Sequence, residues 1–258
     1  MEKSFAIGMC ISPERVPDLA PGYDFIELAV SSNLIPLEED AVYDQRRPGL
    51  ASLLPPIRAF NLFVPAQVKL VGPAVDFGLV KTYVQRALQR ASELHAETIV
   101  FGSGGARALP DGFNRAVAWG QLVRFLELCS NEAAKYEMVI AIEPLNKAET
   151  NIINTYLEGV QLAMDVGRDE VRVLADIYHF MVDNEPLDDI SHEPSWLAHV
   201  HLADTLRKFP GSGMYPLERL FTILKEIDYP GKVSVECSWG PDFTDESARA
   251  LRFLRPLA

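Results

Sequence analysis

The sequence predicts an α/β protein: a (β/α)8 TIM barrel built as a single domain over residues 1–258. Eight short apolar runs rich in Val, Ile and Phe alternate with longer segments of helical periodicity, the pattern of parallel strands joined by right-handed crossovers. Dividing 258 residues by eight gives about 32 per unit, the size of a strand–helix repeat in such a barrel. The turn after the first run reads CISPERVP. It therefore lacks the glycine-rich fingerprint that an open dinucleotide-binding sheet would carry there.

The strands are expected near Phe5–Cys10, Phe25–Val30, Ile57–Val64, Thr98–Gly102, Met138–Glu143, Val171–Asp176, Leu197–Ala203 and Lys232–Cys237. Apolar spacing marks helices over Val80–Leu94, with His95 read as lying within a helix, and over Arg115–Tyr136. Asn154–Val166, Leu217–Ile227 and Thr244–Leu254 follow, with Asn154 and Thr244 as candidate caps. Two Pro-bearing stretches, 33–56 and 65–76, are poorly patterned and read as long loops or short helices. FGSGGAR at Phe101–Arg107 is glycine-rich but is not a dinucleotide motif.

Composition narrows the class. With 48% hydrophobic and 23% charged residues, the chain is that of an ordinary globule. The 24 Lys and Arg against 36 Asp and Glu leave a net charge of −12, which opposes nucleic-acid backbones and anionic membranes. Cys10, Cys129 and Cys237 are scattered and odd in number, so a reducing, cytoplasmic setting is expected without a disulfide framework. The opening MEKSFAIGMCISPERV is broken too soon for a signal peptide, and no run reaches the roughly 18 apolar residues of a spanning helix.

The chemistry is expected at strand ends. The fifth run ends at Glu143, the sixth at Asp176, the seventh carries His199 and His201, and the eighth carries Glu236. In a closed parallel barrel these positions converge at the C-terminal mouth, where barrel enzymes place their sites. Taken singly, each has an ordinary reading: a loop cap, an Arg partner, a core histidine. Together, three carboxylates would repel one another and raise each other's pKa unless a cation joined them. Three carboxylates and one imidazole suit Mn²⁺ first, with Mg²⁺ or Co²⁺ as alternatives. The spacing therefore marks Glu143, Asp176, His201 and Glu236 as candidate ligands of one divalent metal ion. His199 shares the face of His201 but lies a layer deeper, as a supporting or core residue. Glu149, His179 and Arg207 follow the ligands at short spacing and can hold a polyhydroxylated molecule. Glu27, in FIEL at the end of the second strand, is a further candidate wall residue.

The segments Ile142–Thr155 (IEPLNKAETNIINT), Leu174–Phe180 (LADIYHF), His199–Gly213 (HVHLADTLRKFPGSG) and Val233–Glu236 (VSVE) resemble the xylose isomerase-like barrel superfamily. The pattern is most similar to its ketose 3-epimerase and hydroxypyruvate isomerase branch. The resemblance implies a small sugar substrate, a homo-oligomer (dimer or tetramer), metal ligation by Glu143, Asp176, His201 and Glu236, and substrate contact by Glu149, His179 and Arg207. It also implies isomerisation or epimerisation through a metal-stabilised enediolate, with Glu143 and Glu236 exchanging the proton. Lys147 and Ala148 depart from the branch, which usually has Arg and an aromatic there. Loss of a β-hydroxyl after the same proton abstraction, a dehydratase reaction on a keto-sugar or inosose, is the alternative. An abasic-site DNA endonuclease shares the barrel but uses many more His than the five present. A non-catalytic binding barrel would carry an idle and destabilising acidic cluster. A phosphorylated substrate would use the loop after the seventh strand, where Arg207, Lys208, Gly211 and Gly213 lie.

Overall fold

A computed structural model of the chain describes residues 5–258; the first four residues of the opening segment lie outside them. Eight parallel strands run β1 Ala6–Cys10, β2 Phe25–Ala29, β3 Ile57–Asn61, β4 Thr98–Phe101, β5 Val139–Ile142, β6 Val171–Asp176, β7 Leu197–Leu202 and β8 Lys232–Val235. Each pairs with its sequence neighbour, and β1 closes onto β8 through Ala6 opposite Lys232 and Met9 opposite Val235. The intervening α-helices are α1 Asp40–Ala51, α2 Phe77–Ser92, α3 Gly104–Arg107, α4 Arg115–Ala133, α5 Tyr156–Val166, α6 Ile177–Asp183, α7 Asp189–His192, α8 Leu217–Glu226 and α9 Phe243–Leu254. Closed parallel strands with helices between them are the barrel the sequence predicts.

The strands sort their residues by a period of two. One parity, Ile7 and Met9, Ile26 and Leu28, Ile99 and Phe101, Ile140 and Ile142, Val173 and Ala175, Val200 and Leu202, Val233 and Val235, joins the large buried apolar cluster with the helices. The other parity faces the barrel axis. There Val100, Ala141 and Leu174 form a small separate apolar cluster. Phe25 fills the bottom of the axis because Gly8 leaves room: a Cβ on Gly8 would stand 2.2 Å from the Phe25 ring. One step further along the same parity, the inward positions become Cys10, Glu27, Asn61, Asp176 and His201. The C-terminal end of the interior is therefore polar.

The clear helices follow their apolar stripes, and their caps are specific. Asp76 accepts from the amides of Gly78 and Leu79 at the start of α2, and Asn114 from those of Ala116 and Val117 at the start of α4. Two expected caps shift. Thr155, not Asn154, caps α5 through the Glu158 amide, while Asn154 spends its side-chain amide on the carbonyls of Leu145 and Thr150. Asp242, not Thr244, caps α9 through the Asp245 amide. His95 lies beyond α2 in a turn at φ 60°, not inside a helix. The largest difference is α1, twelve residues within the stretch read as loop or short helix. It buries only Tyr43 and Leu50 and contains Pro48, so it has almost no apolar stripe to read. Stretch 65–76 forms no regular element.

Gly8→Ala should lower stability by about 1–3 kcal/mol, because Phe25 has nowhere to retreat inside the barrel. Urea unfolding checks it, and an unchanged midpoint would contradict the packing described.

Candidate functional site

The site stands at the C-terminal mouth, on the last residues of the strands and the turns that follow them. Glu143 and Glu236 sit one residue past β5 and β8, Asp176 ends β6, and His201 is the fifth residue of β7. One ligand atom from each of these four residues lies within 4.8 Å of all the others. The structure thus brings together the four residues that the strand ends marked.

Local hydrogen bonds aim Asp176, His201 and Glu236. Asp176 caps α6 by accepting the Tyr178 amide on Oδ1, which leaves buried Oδ2 without a hydrogen-bond partner. The Nδ1 of His201 is likewise buried and unpartnered, 3.4 Å from Glu143 Oε1 and 3.5 Å from Glu236 Oε2. Glu236 accepts from Asn61 at 3.1 Å and from Arg207 at 2.7 Å. His179, on the first turn of α6, accepts from the backbone and side-chain amides of Asn146 on Nδ1, so Nε2 carries the proton. That Nε2 is buried and unpartnered, 3.5 Å from Asp176 Oδ2 and 3.8 Å from Glu143 Oε1.

Arg207 closes the mouth. Leu206 and Arg207 both take left-handed backbone angles, φ 61° and 55°, an uncommon conformation for these side chains. The guanidinium stacks 4.5 Å over the Tyr178 ring and reaches Glu149 as well as Glu236. Glu149 is in turn held by the Asn146 side-chain amide at 2.9 Å. Arg207 therefore belongs to the site and is not a detached surface ion-pair partner. A cavity of about 280 Å³ opens beside these residues, walled by Leu62, Leu145 and Gly102–Gly105. Gly102 leaves the space that the Glu143 carboxylate takes, because a Cβ there would fall 2.2 Å from Glu143 Oε2 and push it aside.

The electrostatics are those of a buried acidic cluster. Burial pushes the Asp176 carboxyl up; His179 opposes this, and Glu236 and Glu143 add to it. Burial also works against ionised Glu236, but His201 and Arg207 outweigh it and bring that carboxyl down to about 2. His201 is raised well above its ordinary value, as Glu27 and Glu236 overcome burial. Asp176 Oδ2 and His201 Nδ1, both without a partner and facing two more carboxylates, fit a divalent cation; on giving up its Nδ1 proton as the cation binds, the imidazole would complete an oxygen-rich donor set with one nitrogen.

Two expectations change. Glu27 is not a wall residue of the cavity. It is fully buried below the mouth and bonded to both His199 and His201. The loop after β7 is also not built as a phosphate cradle. Its amides at Thr205, Gly211 and Tyr215 all donate to the Asp204 carboxylate. Gly211 is needed because a Cβ would meet the Phe253 ring at 2.6 Å, and Gly213 because it would meet Asp204 at 2.4 Å.

The family model for the xylose isomerase-like TIM barrel matches residues 20–257. The chain belongs to this family. Among curated proteins, it is 34% identical over 98 residues to D-psicose 3-epimerase of Agrobacterium fabrum, covering 38% of this chain and 34% of that one. It is 29% identical over 153 residues to hydroxypyruvate isomerase of Escherichia coli, covering 57% of each. These matches span roughly a third to a little over half of the relatives' lengths. Among solved structures, D-allulose 3-epimerase from Methylomonas sp. in complex with D-allulose superposes with a TM-score of 0.82 at 21% identity, covering 99% of this chain and 98% of that one.

Several site residues carried no sequence signal. Asn61 positions Glu236 from a strand end with no motif of its own, and Asn146, which holds His179, lies within the Ile142–Thr155 segment without a chemistry that marks it out. Arg107, in the glycine-rich FGSGGAR, is fully buried. It donates to the carbonyls of Phe101, Glu143 and Ile153, tying β4, the Glu143 backbone and the following loop together. Burial lowers its guanidinium to about 10, with Glu143 and Glu149 holding it up. Arg107→Met should orphan these carbonyls and cost about 1–3 kcal/mol in urea unfolding; wild-type stability in the variant would show that the tie is dispensable.

Proposed function

We infer that this chain is a divalent-metal-dependent isomerase or epimerase that moves a proton at a carbon beside the carbonyl of a small sugar or hydroxy-carbonyl compound. The observation that carries this reading is the convergence of Glu143, Asp176, His201 and Glu236 within 4.8 Å, beside a sugar-sized cavity. The matches to a D-psicose 3-epimerase and a hydroxypyruvate isomerase support it. A divalent cation held by those four residues, Mn²⁺ first and Co²⁺ or Mg²⁺ as alternatives, supplies Lewis-acid stabilisation of negative charge on the substrate oxygens.

Glu143 and Glu236 exchange the proton with carbon, each through a carboxylate oxygen. They differ in their surroundings. Arg207 and Asn61 grip Glu236 and keep it ionised, whereas Glu143 stands against Gly102 with its oxygens turned to the cavity. His179 presents an Nε2–H toward the same space, a donor for a substrate oxygen on which charge develops. Arg207 adds fixed positive charge from above, and Glu149 accepts from a hydroxyl at the rim. Occupation of the β7-loop amides by Asp204 favours an unphosphorylated substrate.

Incubating Mn²⁺-loaded protein with a panel of ketoses and aldoses in D₂O tests the reaction. Deuterium should enter at one carbon, and a product absorbing as an enone or diketone would instead indicate dehydration. Glu143→Gln and Glu236→Gln should each reduce deuterium incorporation by about 10²–10⁴-fold with an unchanged circular dichroism spectrum. Near-normal exchange in either variant would refute the two-carboxylate assignment. Chelation should abolish exchange and Mn²⁺ or Co²⁺ restore it; full activity in metal-free protein would contradict the metal requirement.

A further inference from the structure

Beneath the four converging residues lies a second polar layer that the reaction itself does not use. Glu27, on β2, is fully buried, and its two oxygens take three donors. Oε1 lies 3.0 Å from His201 Nε2. Oε2 lies 2.8 Å from His199 Nε2 and 2.7 Å from the Ser234 hydroxyl, which donates to it. The two imidazole rings meet edge-on, with centroids 5.2 Å apart. These contacts span the barrel from β2 to β7 and β8.

An ionised carboxylate only accepts hydrogen bonds. A buried carboxylate also persists as a charge only when its oxygens are satisfied. Both conditions hold here if each histidine donates its Nε2–H. That choice has a consequence at the opposite side of the His201 ring. When the imidazole gives up one proton, as a metal ligand must, and keeps the other on Nε2, Nδ1 is left with a lone pair, and Nδ1 is the atom that points between Glu143 and Glu236 without a partner. Were the proton on Nδ1 instead, Nε2 would bring a lone pair against a carboxylate and the ligand set would lose its nitrogen.

We propose that Glu27 is the positioning residue of the metal centre: its carboxylate, braced by His199 and Ser234, holds the Nε2–H of His201 so that Nδ1 is presented as the ligand. This rests on the reading of Glu143, Asp176, His201 and Glu236 as a cation site. Glu27 touches neither cation nor substrate in this arrangement; it acts through His201. Cys10 also approaches His201 Nε2, at 4.0 Å, so the triad Cys10, Glu27 and His201 is the competing place for a cation. A cation there would need the very nitrogen that Glu27 occupies.

Two measurements test the proposal. In ¹⁵N-histidine-labelled wild-type protein loaded with Zn²⁺, long-range ¹H–¹⁵N correlation should show His201 protonated at Nε2 and metal-bound at Nδ1. A ring that is metal-bound at Nε2 overturns the proposal without any variant. In calorimetric titration with Mn²⁺, Glu27→Gln should bind about 10- to 100-fold more weakly than wild type. A glutamine can accept from one histidine only and must turn its amide protons toward the other, so one imidazole loses its acceptor. Equal Mn²⁺ affinity in wild type and Glu27→Gln overturns the positioning role and leaves the cation site standing. No Mn²⁺ binding by wild type overturns the cation site, and this proposal falls with it.

Discussion

Three carboxylates and an imidazole packed into the end of a closed barrel set the terms for everything around them. Glu143, Asp176 and Glu236 repel one another inside a low-dielectric space, carried there by strands that are hydrogen-bonded on both sides. The surrounding residues read as responses to that charge. Arg207 folds back over the mouth through two left-handed residues, Arg107 sits wholly buried behind Glu143, and His179 turns a proton toward the same space. The divalent cation proposed for this site would neutralise what these groups leave over. Apolar side chains, from Phe25 to Leu174, fill the rest of the barrel interior beside the polar layer of Glu27, His199 and Ser234.

The barrel does this by parity. Along each strand one face serves the helices and the other the axis, so a polar residue placed two positions beyond an inward apolar one arrives at the mouth. Leu174 to Asp176, Ala141 to Glu143 and Asn61 after Ala59 all follow this rule. Ring closure then makes residues far apart in the chain into neighbours: Glu27 meets His199 across 172 positions of sequence.

Much of this was legible in the sequence because strand ends are a local signal. Glu143, Asp176, His201 and Glu236 could be placed from the end of an apolar run alone, and the strand count followed from repetition. What could not be read depends on which strands face one another. Glu27 looks like any strand-end acid until β2 is seen opposite β7, and Arg107 hides in a segment whose glycines draw attention to the backbone. The glycines after β7 suggested anion binding, yet their reason is the Phe253 ring and the Asp204 carboxylate, both beyond local pattern. Helix α1 escaped because Pro48 and a nearly stripe-free face leave no periodicity.

The proposed site stands or falls on where a cation binds. An anomalous difference map from crystals grown with Mn²⁺ tests it most directly. The account places one peak about 2.0–2.3 Å from Glu143, Asp176, Glu236 and the Nδ1 of His201. A map with no peak there, or with the peak beside Cys10 and Glu27 on the other side of the His201 ring, would contradict it.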